Sequence, residues 1–384
     1  MLTRSGYRCE MAIPCGRVLL LLTAATSFAC GESNETHGNI GDSGAQTSAP
    51  GDATGSDVST VGPLDDGGAG DGSASDDGSS DGGPGERDAT DSATPGDAAS
   101  APARGLLGVY NGGTTADVES FEAAVTGGKH VGATSLYPAF DSTPSKSTVV
   151  TDMLARGTAV VIDLASRTSG GVQPWADFAS GKYDADATAW GAFFASLDVS
   201  KAPLYVSFNS EPDTALSNGS QTSASDFVAA YRHVHSVIGT TNIKWLWCVG
   251  NSRTDLMPSL YPGDAYVDVI GADPYKWQFH AESETPAQTF AIFTWFGTQT
   301  WHGEKPYAIP ETGVDATKFA SGTYTAADWW KDVPSAAQGY GLVFVLAFDR
   351  EGDYSGSATP DNFLIEGTVS ASGYLSALNA PYFN

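Results

Sequence analysis

The sequence predicts an α/β protein, a (β/α)8 TIM barrel preceded by a disordered linker. Three observations lead there. Residues 105–384 form one stretch of 280 residues, an ordinary size for such a barrel. Short apolar, β-branched or aromatic runs recur eight times within it, as strands buried on both faces require. Helix-spaced stretches separate most of those runs, and strand–helix alternation at this count implies a parallel sheet that closes on itself.

The eight runs, in order, are Leu106–Tyr110, Val131–Tyr137, Ala159–Leu164, Leu204–Phe208, Ile243–Val249, Val267–Ala272, Tyr307–Ile309 and Leu342–Phe348. Ser225–Ile238 reads as a helix because Phe227, Val228, Tyr231, Val234 and Val237 recur at helical spacing, with Ser225 or Asp226 as its cap. Thr188–Leu197 and Ala287–Phe296 follow the same pattern, and Ala371–Asn379 is expected to pack behind the eighth strand. The fifth connection, Asn251 to Asp264, reads as short and irregular.

Ahead of the barrel lie two segments of different character. In residues 1–30, Arg4, Arg8 and Arg17 precede the apolar run Val18–Leu22, and small residues follow up to Cys30. A basic start, a short apolar core and a small-residue exit describe a secretory signal, and the run is too short to span a bilayer as a helix. The Ala29-Cys30-Gly31 junction resembles the cleavage and lipidation site of a bacterial lipoprotein. This implies an exported chain held at the cell envelope, at the outer membrane by that resemblance, through acyl groups on Cys30; the alternative is ordinary cleavage nearby, which leaves Cys30 a plain thiol and the chain secreted. Residues 31–104 hold no aromatic residue and carry fifteen acids against two arginines. Such a Gly/Asp/Ser-rich segment cannot bury enough apolar surface to offset its ordering entropy, and it reads as a self-repelling spacer. It lacks the spacing of a calcium loop.

The formal net charge of −26 excludes nucleic-acid binding through a phosphate-neutralising surface. Of the four cysteines, Cys9 and Cys15 fall in the signal and Cys30 would carry lipid. Cys248 is therefore alone in the folded part, which must be held by its core and not by a disulfide. An acidic, tethered chain of this kind is expected to be a monomer.

A barrel carries its chemistry at the C-terminal ends of its strands. The fourth strand runs into Asn209-Ser210-Glu211 and the seventh into Pro310-Glu311-Thr312. These strands lie across the mouth from one another, so both carboxyls can converge on one bond. Glycoside hydrolysis needs such a pair: one carboxyl protonated to release the leaving oxygen, the other ionised to attack or shield the anomeric carbon. A separation of about 5–5.5 Å implies retention of configuration, and a wider gap implies inversion.

Several segments taken in order resemble glycoside hydrolase family 26, of the clan A retaining glycosidases: the endo-β-mannanases, with β-1,3-1,4-glucanases and some xylanases. They are Gly181–Asp184, Phe208–Asp213, Phe227–His235, Trp245–Trp247, Tyr261–Asp264, Asp268–Gly271 and Glu311–Gly313. The resemblance implies Glu211 as general acid/base and Glu311 as nucleophile. It also implies that Tyr275, after the sixth strand, donates a hydrogen bond to the nucleophile. Three positions depart from the family pattern: Ser210 stands where a His is common, no Trp follows Glu211 closely, and Phe348 replaces a Trp on the eighth strand.

Trp247, Trp277 and Phe348 sit at or beyond strand ends, where aromatic faces can stack on pyranose rings. Asn209 is expected to bind a sugar 2-hydroxyl, and Asp349 to contact a hydroxyl or pair with Arg350. His233 and His235 are two apart on a helix, face different ways and cannot chelate one metal. No nucleotide fingerprint or nucleophile elbow is present, so no cofactor and no metal is implied. The expected function is retaining endo-hydrolysis of a β-linked polysaccharide, foremost β-mannan. Mixed-linkage glucan or xylan hydrolysis, a non-catalytic carbohydrate-binding barrel, and a structural surface protein are the alternatives.

Overall fold

The structure is a computed structural model that describes residues 104–142, 147–251, 253–352, 354–355 and 359–384. The expected signal segment with Cys30, and the linker up to residue 103, lie outside the described residues.

Eight strands form the sheet: β1 (Leu106–Tyr110), β2 (Ala133–Leu136), β3 (Ala159–Leu164), β4 (Leu204–Phe208), β5 (Lys244–Val249), β6 (Val269–Ala272), β7 (Tyr307–Thr312) and β8 (Leu342–Phe348). They are all parallel and close in chain order, with β1 pairing β8 from Leu106↔Phe344 to Tyr110↔Phe348. The main helices are α1 (Thr115–Phe121), α2 (Ser147–Arg156), α3 (Asp184–Ala195), α4 (Ala224–Ile238), α5 (Ala326–Tyr340) and α6 (Ser370–Leu378). The (β/α)8 expectation therefore holds.

Most element bounds fall within a few residues of the sequence reading, and the differences have local causes. The cap of α4 is Ser223, whose hydroxyl accepts from Asp226 N at 3.1 Å, rather than Ser225 or Asp226. Ala287–Phe296 is two short helices, Pro286–Thr289 and Ile292–Phe296, because a capping box of Thr285 and Gln288 starts a turn that ends at Phe290. The fifth connection holds only the four-residue helix Met257–Leu260 and a 3-10 turn.

Side chains alternate between two cores, as the strand period of two requires. Ala133, Ala159, Val161, Tyr205, Leu246, Val269, Ala308, Phe344 and Leu346 fill the barrel itself. Residues one position away, such as Val160, Val206, Trp245, Trp247 and Ile309, pack against the helices. Continuing the inward series upward brings Tyr137, Asp163, Ser207, Cys248 and Asp273 to the C-terminal mouth. The inside of the barrel is thus apolar below and polar at the top.

Away from the mouth, Glu122 is buried and takes both Arg156 guanidinium nitrogens, at 3.0 and 2.7 Å, together with Val131 N at 2.9 Å. This pair ties the end of α1 to the end of α2.

Candidate active site

Glu311 reaches the mouth where the β7–β8 register shifts: after an opposite shift between Tyr307 and Ile309, β7 gains a residue on β8 past Ile309. Ile309 pairs with Val345 and Thr312 with Ala347, so three steps on β7 face two on β8. A bulge of this kind reverses the facing of the residues beyond it and re-aims a side chain. Pro310 has no N–H to contribute to a ladder, which suits it to this irregular place. The predicted strand stopped at Ile309; the bulge lets it run through the proline to Thr312.

The Glu311 carboxylate accepts from Tyr275 Oη at 2.7 Å and also from the Tyr137 hydroxyl. Its backbone N–H donates to Asp273 Oδ1 at 2.8 Å. Burial pushes the Glu311 carboxyl above its usual range; the two tyrosine donors oppose that rise and the charge of Asp163 adds to it. Asp273 is held well above the carboxylate range by burial and by the charge of Glu311. Cys248 Sγ donates to Asp273 Oδ2 at 3.2 Å.

Glu211 is carried by a strained turn. Asn209 and Glu211 both lie in the left-handed region, at φ 51° and 54°, an uncommon conformation for residues with side chains. Three contacts hold the turn. Glu211 N donates to Cys248 O at 3.1 Å, Ser210 N to Asp163 Oδ1 at 3.0 Å, and Gly250 N to the fully buried Asp213 Oδ1 at 2.8 Å. Pro212 then starts the short helix Pro212–Ser217. Both glutamates act on the buried Cys248 thiol, which is driven up by burial first, then by Asp273, Glu211 and Glu311. The two strand-end carboxyls therefore share one neighbourhood. Asp163 belongs to it as well, its carboxyl pushed up to about 6 by burial, against hydrogen bonds from Ser210 and Ser207.

The other expected site residues divide. Tyr275 is buried on Glu311, and Phe348 is half-buried, stacked on Tyr110 at 5.6 Å and edge-on to Tyr275 at 6.2 Å. Trp277, half-buried, lies 5.0 Å from the Tyr275 ring. These three rings line one side of the mouth. Asn209 is near it, but its Oδ1 already accepts from Ser166 N, Ser166 Oγ and Trp175 Nε1, and its Nδ2 donates to Ser210 O. Its side chain braces the turn.

Two expectations are corrected. Trp247 does not face sugar: it is fully buried on the outward face of β5, against Tyr261, Phe296 and Trp301. Alternation puts Leu246 and Cys248 inside the barrel, and Trp247 between them must face the helices. Asp349 is likewise buried, accepting from the backbone N–H groups of Ile365 and Glu366. It organises the chain beyond β8 and contacts neither a hydroxyl site nor, in an ion pair, Arg350. The Arg350 guanidinium lies over the Tyr110 ring at 4.9 Å instead.

Sequence reasoning passed over Tyr137, Asp163 and Asp273 as functional groups. Asp163 is the last inward residue of β3, and Tyr137 and Asp273 lie one residue past β2 and β6; alternation counted from Ala133, Ala159 and Val269 would have found them. Among the described residues, no group of three or more His, Cys, Asp or Glu side chains could hold a metal ion.

A closed parallel barrel with two carboxyl-bearing strand ends at its C-terminal mouth, flanked by tyrosine donors and stacked rings, defines a barrel glycosidase. The comparisons narrow that class. Residues 221–348 match Glycosyl hydrolase family 26; Glu311 lies inside the matched segment and Glu211 ten residues before it. Over that third of the chain the protein is similar to glycoside hydrolase family 26. Among similar solved structures is a family 26 β-mannanase from Bacteroides ovatus, 18% identical with a TM-score of 0.52, covering 73% of this chain and 90% of that one. A family 26 protein from Muricauda sp. MAR_2010_75 is 13% identical, with a TM-score of 0.51 and coverage of 73% and 86%. An endo-β-1,4-mannanase from Cellulomonas fimi is 17% identical, with a TM-score of 0.50 and coverage of 73% and 71%. At these identities the likeness is one of fold. No curated protein sequence matches the chain.

Proposed function

We propose that the protein is a retaining β-glycanase, with β-mannan as the favoured substrate, in which Glu311 is the nucleophile and Glu211 the general acid/base. The observation that carries the roles is the pair of phenolic donors on Glu311. Glu311 accepts from two phenolic donors, which favour its ionised form and oppose the rise that burial causes. Glu211 rides a turn pinned to the end of β5.

In the first step Glu211 donates its proton to the glycosidic oxygen. A Glu311 oxygen forms a bond to the anomeric carbon from the opposite side as the bond to the leaving oxygen breaks. In the second step Glu211, now ionised, takes a proton from water. The water oxygen attacks the anomeric carbon, and the bond to Glu311 breaks with its electrons returning to the carboxylate. Two inversions leave the configuration retained. The Tyr275 and Tyr137 hydroxyls stay with Glu311 throughout, and Phe348 and Trp277 offer faces for sugar rings.

Mannan is favoured because two of the similar structures are described as mannanases. The test is release of reducing ends from mannan, galactomannan, lichenan, β-1,3-glucan and xylan. We expect mannan to be cut best, and Glu311→Ala and Glu211→Ala to lose the activity. Activity that survives both substitutions would overturn the assignment. Preference for lichenan or xylan would keep the reaction and change the substrate. The N-terminal sequence supports export and a lipid anchor on Cys30; incorporation of labelled palmitate, lost in Cys30→Ala, tests it, and a monomer is expected by light scattering.

A further inference from the structure

The segment Tyr275–Phe279 leaves the mouth through a bridge at Lys276 and then turns, His280 N–H donating to Trp277 O at 2.9 Å. Its even residues are tied to the body of the protein. Lys276 is fully buried, its N–H donating to Gly313 O at 2.8 Å and its Nζ to Glu282 O at 2.7 Å and Glu284 O at 2.9 Å. Gln278 Nε2 donates to Asp361 Oδ1 at 2.9 Å and Thr359 O at 3.2 Å. The odd residues are all aromatic. Tyr275 sits on Glu311, Trp277 follows at 5.0 Å between ring centroids, and Phe279 follows at 6.3 Å with its ring only 5° from the plane of Trp277.

Phe279 is 67% exposed, and it is the one aromatic among the large hydrophobic side chains left exposed in the described residues. A single exposed apolar residue needs no explanation. This one is different because its ring lies parallel to that of a half-buried tryptophan, in a series that begins on the Glu311 carboxylate. His280 meets the Phe279 ring edge-on at 4.9 Å, and Phe363 meets Trp277 edge-on at 5.1 Å.

We propose that Trp277 and Phe279 form an outer sugar-stacking platform that takes a pyranose of a β-linked chain lying beyond the residues cleaved at Glu311. This rests on the glycanase reading and deepens it. It makes Phe279 a specificity residue for chain length, favouring polymers and long oligosaccharides over disaccharides, as internal cleavage requires. The ring face is needed and no hydrogen bond is, so Phe279→Tyr should retain the function and Phe279→Ala should lose it.

The experiment has a binding and a kinetic arm. In a Glu311→Ala background, tryptophan fluorescence is titrated with mannohexaose, cellohexaose and xylohexaose, with and without Phe279→Ala. In the active protein, kcat/KM is measured on the hexasaccharide that binds and on the aryl glycoside of its disaccharide. The expected result is hexasaccharide binding and kcat/KM weakened roughly three- to tenfold by Phe279→Ala, the scale of one aromatic stacking contact. The disaccharide kcat/KM should be unchanged, and Phe279→Tyr should match the parent. Equal losses on both substrates, or an undiminished hexasaccharide, would overturn the platform while leaving the glycanase reading intact. A parent that neither binds nor cleaves any of the three sugars would overturn the glycanase reading, and the platform with it.

Discussion

Replacing Tyr275 by Phe removes one oxygen and keeps the ring packed against Trp277, Phe348 and Phe363. The lost contact is the 2.7 Å donation to Glu311 Oε2. A hydrogen bond to a charged group is worth roughly 1.5–3 kcal/mol. At about 1.4 kcal/mol per pKa unit, its loss should raise the Glu311 carboxyl by roughly 1–2 units. The sign follows from the balance at this carboxyl: burial raises it, Tyr137 and Tyr275 lower it, so removing one of the lowering groups moves it up. Because the nucleophile must be ionised to attack, the acidic limb of the kcat/KM–pH profile should shift to higher pH by that amount. The alkaline limb, which reports the protonated acid, should stay in place. Tyr137→Phe should move the acidic limb the same way. An acidic limb that stays fixed, or moves to lower pH, would refute the claim that these phenols favour the ionised form of the reacting carboxyl.

Two further predictions concern stability. Arg156→Met leaves the buried Glu122 with the exposed His130 imidazole, 3.0 Å away, as its remaining basic partner among the described residues and should cost about 3–5 kcal/mol, read by chemical denaturation. Asp349 carries a carboxyl raised from 3.8 to about 6, so the folded chain keeps a proton there that the unfolded chain releases. This contribution is complete below pH 4 and lost as pH rises through 6; Asp349→Asn should therefore reduce the fall in unfolding free energy across that window by up to roughly 3 kcal/mol. An identical fall in parent and variant would contradict the burial of an ionisable Asp349.

Much of the fold was legible because buried parallel strands leave short apolar runs. Leu106–Tyr110, Ala159–Leu164, Leu204–Phe208 and Leu342–Phe348 match their predicted bounds residue for residue. What escaped were features set by facing and by neighbours. Trp247 looked like a rim residue until the alternation around Cys248 turned it outward. The Pro310 bulge carries no period of its own, yet it decides where Glu311 faces. Asp349 was read as free to meet ligand because nothing in its flanking residues announces the distant Ile365 and Glu366 N–H groups that occupy it. Asp163 and Asp273 were hidden for the opposite reason. Their placement follows from counting, but their weight appears only when Asp273, Glu211 and Glu311 all act on one buried thiol and Asp163 acts on Asp273 and Glu311.

The most direct measurement is the anomeric configuration of the product when azide reactivates Glu311→Ala on an aryl β-glycoside. With the Glu311 side chain gone, azide should enter from its vacated side and yield the glycosyl azide of inverted configuration. A glycosyl azide of retained configuration from this variant would make Glu311 the acid/base instead and reverse the two roles.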